Sequence, residues 1–167
     1  MQHLGCMFIQ KGSDFMTAFK DSIERELTLP VPIERAWAAI TDPAEVRQWF
    51  GNKSDYDLRE GGQGVFQWDE HVSRMRIVAL EPPRRYVYRW VIENDGDHSI
   101  PFEEMATTQV EYLLESIPEG TRLKLTETGF ASLPADRRES SFADNSQGWT
   151  SELAKLVDYT KTLAAAV

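Results

Sequence analysis

The clearest periodic pattern lies near the C-terminus, between Gly148 and Leu163. Its apolar face recurs at steps of four and three residues and consists of Trp149, Leu153, Leu156, Thr160 and Leu163. This spacing predicts an amphipathic helix. A helix of this length buries its apolar face only against a broad partner surface. We therefore expect the helix to pack on a surface formed by the residues that precede it.

Alternating apolar and polar positions in those preceding residues predict an antiparallel sheet. The predicted strands are Ser22 to Leu29, Tyr56 to Arg59, Val65 to Trp68, Val72 to Leu80, Arg85 to Ile92, Thr107 to Ser116 and Arg122 to Thr128. Strands that follow one another this closely pair mostly antiparallel. The polar stretch from Glu93 to Phe102 interrupts them and is predicted to be a loop.

Two short helices are predicted after the first strand. Ile33, Trp37 and Ile40 form one face of the first helix. Asp42 is the predicted N-cap of the second helix, and Glu45 stands three residues later, where it would complete a capping box.

Together these elements predict an α+β fold in which a curved antiparallel sheet wraps around a long C-terminal helix. Such an arrangement can enclose a cavity between the sheet and the helix. Residues 1–19 show no periodicity, so we expect an N-terminal tail there and a single domain over residues 20–167.

Composition narrows the class of protein. A formal net charge of −9 disfavours nonspecific binding to nucleic acid or to an anionic membrane, which needs clustered Lys and Arg. The one cysteine, Cys6, allows no internal disulfide. No apolar run approaches the roughly 20 residues that span a bilayer, and the N-terminus does not resemble a signal peptide. We expect a cytoplasmic protein without a membrane span.

No motif for a cofactor or a metal is evident. The glycine-rich stretch Gly61 to Gly64 precedes a strand and lacks the Lys-Ser/Thr of a phosphate-binding loop. His3, His71 and His98 share no spacing that would gather them around a metal ion. The prediction is therefore that the protein uses neither a cofactor nor a metal.

Glu127 is a charged residue at a position that the strand pattern predicts to face the interior. Its strand alternates as Leu123, Leu125, Glu127, so the carboxylate should point inward with the two leucines. Burial of a carboxylate is unfavourable unless it is paired or hydrated, and it raises the pKa. Glu127 is therefore a candidate polar residue of a pocket. The alternatives are that the strand ends there, or that Arg76 or Arg89 pairs with Glu127.

Aromatic residues recur at alternate positions of successive strands and on the helices. By default such side chains fill a core. So many indole and phenol groups also suit a cavity that holds an apolar ligand with a few hydrogen bonds. The residues predicted to line that cavity are Trp49, Phe50, Trp68, Tyr88, Trp90, Tyr112, Glu127, Trp149 and Leu153.

Five segments resemble the START/Bet v 1-like helix-grip superfamily, and in particular its branch of Hsp90 ATPase activator homologues. They are Val31 to Phe50, Leu58 to Trp68, Val78 to Trp90, Gly120 to Phe130 and Gly148 to Leu163. They occur in order and span nearly all of the chain from Ile23 to Leu163. The resemblance implies the helix-grip fold, with a pocket between the strands and the C-terminal helix.

Three functions follow from the residues and this resemblance. We expect binding of a small hydrophobic molecule, lipid-like or polyketide-like, because relatives of this fold hold such ligands between helix and sheet. The first alternative is an enzyme of the polyketide-cyclase or hydrolase kind, with Glu127 as acid or base. The second is a stress-linked module that binds a chaperone, as the eukaryotic Hsp90 activator does. An exposed edge strand could in addition pair two copies in a homodimer.

Overall fold

The structure, a computed structural model, describes residues 20–92 and 99–166. The predicted tail at residues 1–19, including Cys6, and residues 93–98 of the predicted loop lie outside these ranges. In the described part of the chain, seven strands form one antiparallel sheet. They are β1 (Ser22–Leu29), β2 (Asp55–Tyr56), β3 (Gln63–Trp68), β4 (His71–Glu81), β5 (Arg85–Val91), β6 (Thr107–Ile117) and β7 (Gly120–Thr128).

The strand order is β1-β7-β6-β5-β4-β3-β2, so strands β2 to β7 form a meander and β1 joins beside β7. The helices are α1 (Ile33–Thr41), α2 (Pro43–Val46) and α3 (Arg138–Ala165). Short 3-10 helices cover Phe102–Glu104 and Phe130–Ser132. The predicted α+β helix-grip fold is confirmed.

The core lies where one face of the sheet meets α3. Strand alternation brings Leu123 and Leu125 of β7 to this face, and both are fully buried. From the helix, Trp149, Leu153, Leu156 and Thr160 are buried as their spacing predicts, whereas Leu163 is half-buried. None of the helices within residues 20–92 and 99–166 is long and apolar enough to cross a membrane.

The start of α3 differs from the prediction. The helix begins at Arg138 rather than at Gly148. Its first turns are too polar to show an apolar period, and tertiary contacts hold them instead. The guanidinium of Arg25 on β1 donates to the backbone oxygen and to Oγ of Ser146, each at 2.9 Å.

One local prediction is confirmed and two are corrected. Asp42 caps α2, because its Oδ1 accepts a hydrogen bond from the Ala44 amide at 2.9 Å. The capping box does not form, since the Glu45 carboxylate bonds Arg35 and the Tyr159 hydroxyl instead. The second strand is Asp55–Tyr56 rather than Tyr56 to Arg59, because Arg59 belongs to a turn closed by the Gly62 amide.

Candidate functional site

A pocket of about 190 Å³ lies between the β3–β5 end of the sheet and the N-terminal half of α3. It is lined by Phe50, Trp68, His71, Ser73, Trp90, Ile92, Asp144, Asn145, Gly148, Trp149 and Glu152. Phe50 comes from the segment after α2, and the next five residues come from strands β3 to β5 and the position directly after β5. The last five residues belong to α3. The site therefore depends on how the helix is seated on the sheet.

The helical side of the pocket follows from residue spacing. Asn145, Trp149 and Glu152 stand at i, i+4 and i+7, which places them on one face of α3. That face is directed at the sheet, since Trp149 is only 2 % exposed. The same periodicity that buries the helix thus carries polar groups to the pocket.

Aromatic rings form the apolar walls. Phe50 stacks on Trp149 with ring centroids 5.4 Å apart and an interplanar angle of 6°. The ring of Trp68 meets Phe50 edge-on at 4.8 Å, and Trp90 lies 5.9 Å from Phe50. These contacts fix four large side chains around the pocket, since each ring restricts the next.

Gly148 lies in the middle of α3 and on the pocket wall. Glycine in a helix interior costs roughly 0.5–1 kcal/mol relative to alanine. A Cβ built on Gly148 would meet no atom within 4 Å. No crowding by neighbouring atoms therefore accounts for the glycine at this position.

Glu127 lies behind this wall and is fully buried. Its Oε1 accepts hydrogen bonds from Trp90 Nε1 at 2.8 Å and from Thr108 Oγ1 at 2.5 Å. Its Oε2 accepts one from Trp149 Nε1 at 2.6 Å. Asn145 Nδ2 donates to both oxygens, at 3.0 and 3.2 Å. The carboxylate therefore gathers donors from β5, β6 and α3.

Burial raises the pKa of Glu127, while the hydrogen bonds from Thr108, Trp149, Trp90 and Asn145 act in the opposite direction. The proposed arginine pairing is wrong. Arg76 pairs with Glu103, and Arg89 donates to Thr107 Oγ1 at 2.7 Å. Trp90, Asn145 and Trp149 all line the pocket. The Glu127 carboxylate accepts a hydrogen bond from each of these side chains and so helps to fix their orientation.

The structure distributes the predicted site residues between the pocket and the core. Phe50, Trp68, Trp90 and Trp149 line the pocket together. The remaining five, Trp49, Tyr88, Tyr112, Glu127 and Leu153, are buried outside its lining. A role for any of the nine in ligand binding stays a prediction.

Two of these residues show why they lie in the core. Trp49 donates its Nε1 hydrogen to the backbone oxygen of Ala39 at 2.9 Å, which ties the segment after α2 to α1. Tyr112 packs against Tyr86 with centroids 5.8 Å apart, and burial raises the pKa of both phenols. These phenols therefore stay neutral over the physiological pH range.

Sequence reasoning missed the polar lining residues, chiefly Ser73, Asn145, Gly148 and Glu152. A signal for three of them existed, because Asn145, Gly148 and Glu152 share one helical face with Trp149. Asn145 was missed because the helix was predicted to begin only at Gly148, and Glu152 was missed because it was assigned to the solvent-facing side of that helix. Ser73 carried no such signal; its hydroxyl donates to the backbone oxygen of Val91 across the β4–β5 pair.

Metal binding finds no support in the described part of the chain. Residues 20–92 and 99–166 contain no group of three or more His, Cys, Asp or Glu side chains placed to hold an ion.

Comparison with known proteins identifies the family. The family model described as "Activator of Hsp90 ATPase homolog 1-like protein" matches residues 30–161. This range contains both the pocket and most of α3. No curated protein sequence matches the chain.

Solved structures share the fold. Protein MLL2253 from Mesorhizobium loti is 22 % identical, with a TM-score of 0.69 over 84 % of this chain and 97 % of that one. CalU16 from Micromonospora echinospora is 26 % identical, with a TM-score of 0.58 over 83 % and 74 % of the two chains. The Aha1 dimer from Colwellia psychrerythraea is 16 % identical, with a TM-score of 0.65 over 83 % and 95 %.

Proposed function

The chain belongs to the family of Activator of Hsp90 ATPase homolog 1-like proteins, and from that premise we propose that it binds a small, largely apolar molecule. The binding site is the pocket between β3–β5 and α3. Four aromatic side chains supply the apolar surface, and Ser73, Asn145 and Glu152 supply a few polar atoms. This combination of apolar walls with few polar groups is typical of small-molecule sites.

The observation that carries the proposal is the glycine on the pocket wall. A helix interior favours any ordinary residue over glycine, and nothing within 4 Å would obstruct a side chain at Gly148. An alanine there would strengthen the helix but narrow the pocket. The open space at this position therefore supports a binding role.

The volume indicates the size of the ligand. An engineered apolar cavity of about 150 Å³ binds benzene, whereas pockets for drug-sized molecules measure about 300–1,000 Å³. At about 190 Å³, this pocket suits one or two rings or a short branched chain. The size favours a small aromatic molecule, or one end of a larger lipid-like or polyketide-like molecule.

Native mass spectrometry of freshly purified protein, followed by a thermal-shift screen, tests the proposal. Indole, naphthalene and 2-phenylethanol are suitable probes because each has one or two rings. A ligand of the folded state raises the melting temperature by mass action, and burial of apolar surface gives a negative heat-capacity change in calorimetry.

Trp68→Ala removes one aromatic wall and should weaken the binding of any probe that shifts the melting temperature. Trp37→Ala is the matched control, since Trp37 is a half-buried indole of α1 outside the pocket. Equal loss of affinity in both variants, or no shift with any probe of this size, would contradict the proposed site.

An enzymatic function has one supporting observation, which is that burial raises the pKa of Glu127. A raised pKa suits a general acid. However, the side chain is fully buried, and Trp90, Thr108, Asn145 and Trp149 occupy both carboxylate oxygens. We therefore rank catalysis below binding. Turnover of ester or polyketide substrates that Glu127→Gln abolishes, with probe binding retained, would reverse this ranking.

The family description and one structural neighbour motivate two further proposals. The family is named after activation of the Hsp90 ATPase, and the Colwellia protein was solved as a dimer. Chaperone binding in a stress response is testable by pull-down with purified Hsp90 and by the ATPase rate. Homodimerisation is testable by sedimentation, and the expected cytoplasmic location by fractionation.

A further inference from the structure

We propose that the ligand carries an uncharged hydrogen-bond donor, an O–H or N–H group on its small apolar body, and that this group donates to Oδ1 of Asn145. This inference rests on the proposed function, because it assigns the ligand class of the same pocket. It narrows a small apolar molecule to one such as a phenol, an alcohol or an indole. Molecules of equal shape without such a donor should bind less tightly.

The Glu127 carboxylate fixes the direction of the Asn145 amide. Asn145 Nδ2 donates to both oxygens of Glu127, at 3.0 and 3.2 Å. An ionised carboxylate only accepts hydrogen bonds, so it bonds the nitrogen of an amide and not the oxygen. Trp90 and Trp149 donate to the same carboxylate, and these hydrogen bonds favour its ionised form. The amide oxygen of Asn145 therefore points away from Glu127.

A ligand in the pocket can reach this oxygen. Asn145 belongs to the pocket lining, whereas Glu127 lies behind it. Within residues 20–92 and 99–166, no donor bonds Asn145 Oδ1, and this atom is not one of the buried side-chain atoms that lack a partner. The side chain as a whole is half-buried. The oxygen is thus an unused acceptor that keeps accessible surface.

Gly148 leaves one side of the Asn145 amide uncovered. The two residues stand at i and i+3 of α3, so they are neighbours on the helix surface. Gly148 has no side chain, and a Cβ there would meet no atom within 4 Å. A ligand group that approaches Asn145 along this side therefore meets no side chain of residue 148.

The ligand donor should be uncharged. Glu152 Oε1 already accepts from Lys155 Nζ at 3.1 Å, and Glu152 Oε2 is buried. Asp144 is solvent-exposed, where charge interactions are screened. Transfer of an ammonium group from water to apolar walls is costly without a charged partner, whereas a hydroxyl or indole N–H group is fully matched by an amide oxygen.

Other polar groups of the lining bear on the choice between O–H and N–H. The indole N–H groups of Trp90 and Trp149 are used by Glu127, and the Ser73 hydroxyl donates to the backbone oxygen of Val91. Trp68 Nε1 has no acceptor among the described residues. A hydroxyl group, which donates and accepts, is compatible with both Asn145 and Trp68, whereas an N–H group serves Asn145 alone.

Two pairs of probes with nearly equal shape test the inference. Indole and benzofuran differ in the N–H group, which a ring oxygen replaces in benzofuran. The hydroxyl group of 2-naphthol is replaced by fluorine in 2-fluoronaphthalene. In calorimetry at pH 7.5, the donor of a pair should bind about fivefold more tightly, because one neutral hydrogen bond makes a modest net contribution. A preference within either pair supports the inference and shows which donor the site takes.

Asn145→Leu removes the acceptor and nearly keeps the size of the side chain. The affinities within each pair should then become roughly equal. Gln147→Leu is the matched control, because it removes an amide from an exposed position of α3 outside the lining, and it should retain the preference. Asn145→Ala is a second variant with a smaller side chain, and the wild-type comparison depends on neither.

Each contrary result has its own meaning. Equal affinity within both pairs, or tighter binding of benzofuran and 2-fluoronaphthalene, would overturn the inference and leave the proposed function standing. A preference that survives in Asn145→Leu and Asn145→Ala would also overturn it, since another acceptor would then bind the donor. If none of the four probes binds, the proposed function fails and this inference with it.

Discussion

Replacement of Gly148 by alanine should change stability and ligand binding in opposite directions. The residue lies inside α3 and on the pocket wall, and a Cβ there would meet no atom within 4 Å. The added methyl group should therefore enter the pocket rather than strain the fold. If Gly148 had a purely structural role, there would be no reason to expect that its replacement raises stability and weakens ligand binding.

The stability gain follows from the helix. Alanine is favoured over glycine by about 0.8–1.0 kcal/mol in a helix interior, and no steric cost opposes this gain at Gly148. For a chain of 167 residues, 1 kcal/mol corresponds to a shift in melting temperature of about 2–4 °C. The free energy of unfolding, measured in urea, should rise by about 1 kcal/mol.

The binding loss follows from the volume. A pocket of about 190 Å³ that is filled by one or two rings has little space to spare. Extra methyl or methylene groups in a filled space typically cost about 1–3 kcal/mol. Calorimetry with a probe that binds the wild type should show this loss for Gly148→Ala, and Gly148→Leu should abolish binding.

Ala154→Gly supplies the reciprocal control. Ala154 is an exposed residue of α3 outside the pocket, so this change should lower stability by about 1 kcal/mol and leave binding intact. The double variant moves the glycine along the helix. It should match the wild type in stability, since such distant sites add within about 0.5 kcal/mol, yet bind as weakly as Gly148→Ala.

Two results would refute this reasoning. Unchanged probe affinity in Gly148→Ala would mean that the ligand does not occupy the space beside Gly148. A loss of stability in the same variant would mean that the space is filled in solution. Either result would remove the observation on which the proposed binding function depends.

Three further predictions concern stability, each measured by urea unfolding. Asp42→Ala removes the acceptor for the Ala44 amide and should cost about 1 kcal/mol; no change would contradict the cap. Leu125→Ala opens a cavity at a fully buried position and should cost about 2–5 kcal/mol; exposed Leu113→Ala is its control. Burial raises the pKa of Glu127 above 4.5, so the folded state binds this proton more tightly than the unfolded state. Its stabilising contribution is present below pH 4.5 and is lost as pH rises through the folded-state pKa. The stability of wild type minus that of Glu127→Gln should therefore fall with pH, and a rise would refute the assignment.

Local pattern was sufficient for most of the elements. Alternation over Ser22 to Leu29 and Arg122 to Thr128 places strands there, because side chains of a strand point to opposite faces with a period of two. The Trp149 face identifies α3, because one apolar stripe recurs every 3.6 residues. These signals are short-range, so they are readable without knowledge of the fold.

The sequence pattern gave wrong predictions where contacts between distant residues, rather than a repeating apolar face, stabilise the local structure. The polar first turns of α3 are held by Arg25 and Ser146, which are far apart in the chain. Glu45, which suited a capping box, bonds Arg35 and Tyr159 instead. Neither arrangement follows from nearby residues, since each partner comes from another element.

The candidate site shows the same division between features that the local sequence predicts and features that depend on tertiary contacts. By itself, the sequence determined the family, the strands, the apolar face of α3 and the inward direction of Glu127. Only the tertiary structure decided that Trp90, Thr108, Asn145 and Trp149 donate to its carboxylate, and that Gly148 faces open space. The reason is physical. The direction of a side chain depends on its own backbone, whereas a hydrogen-bond partner or a pocket depends on how distant elements pack together.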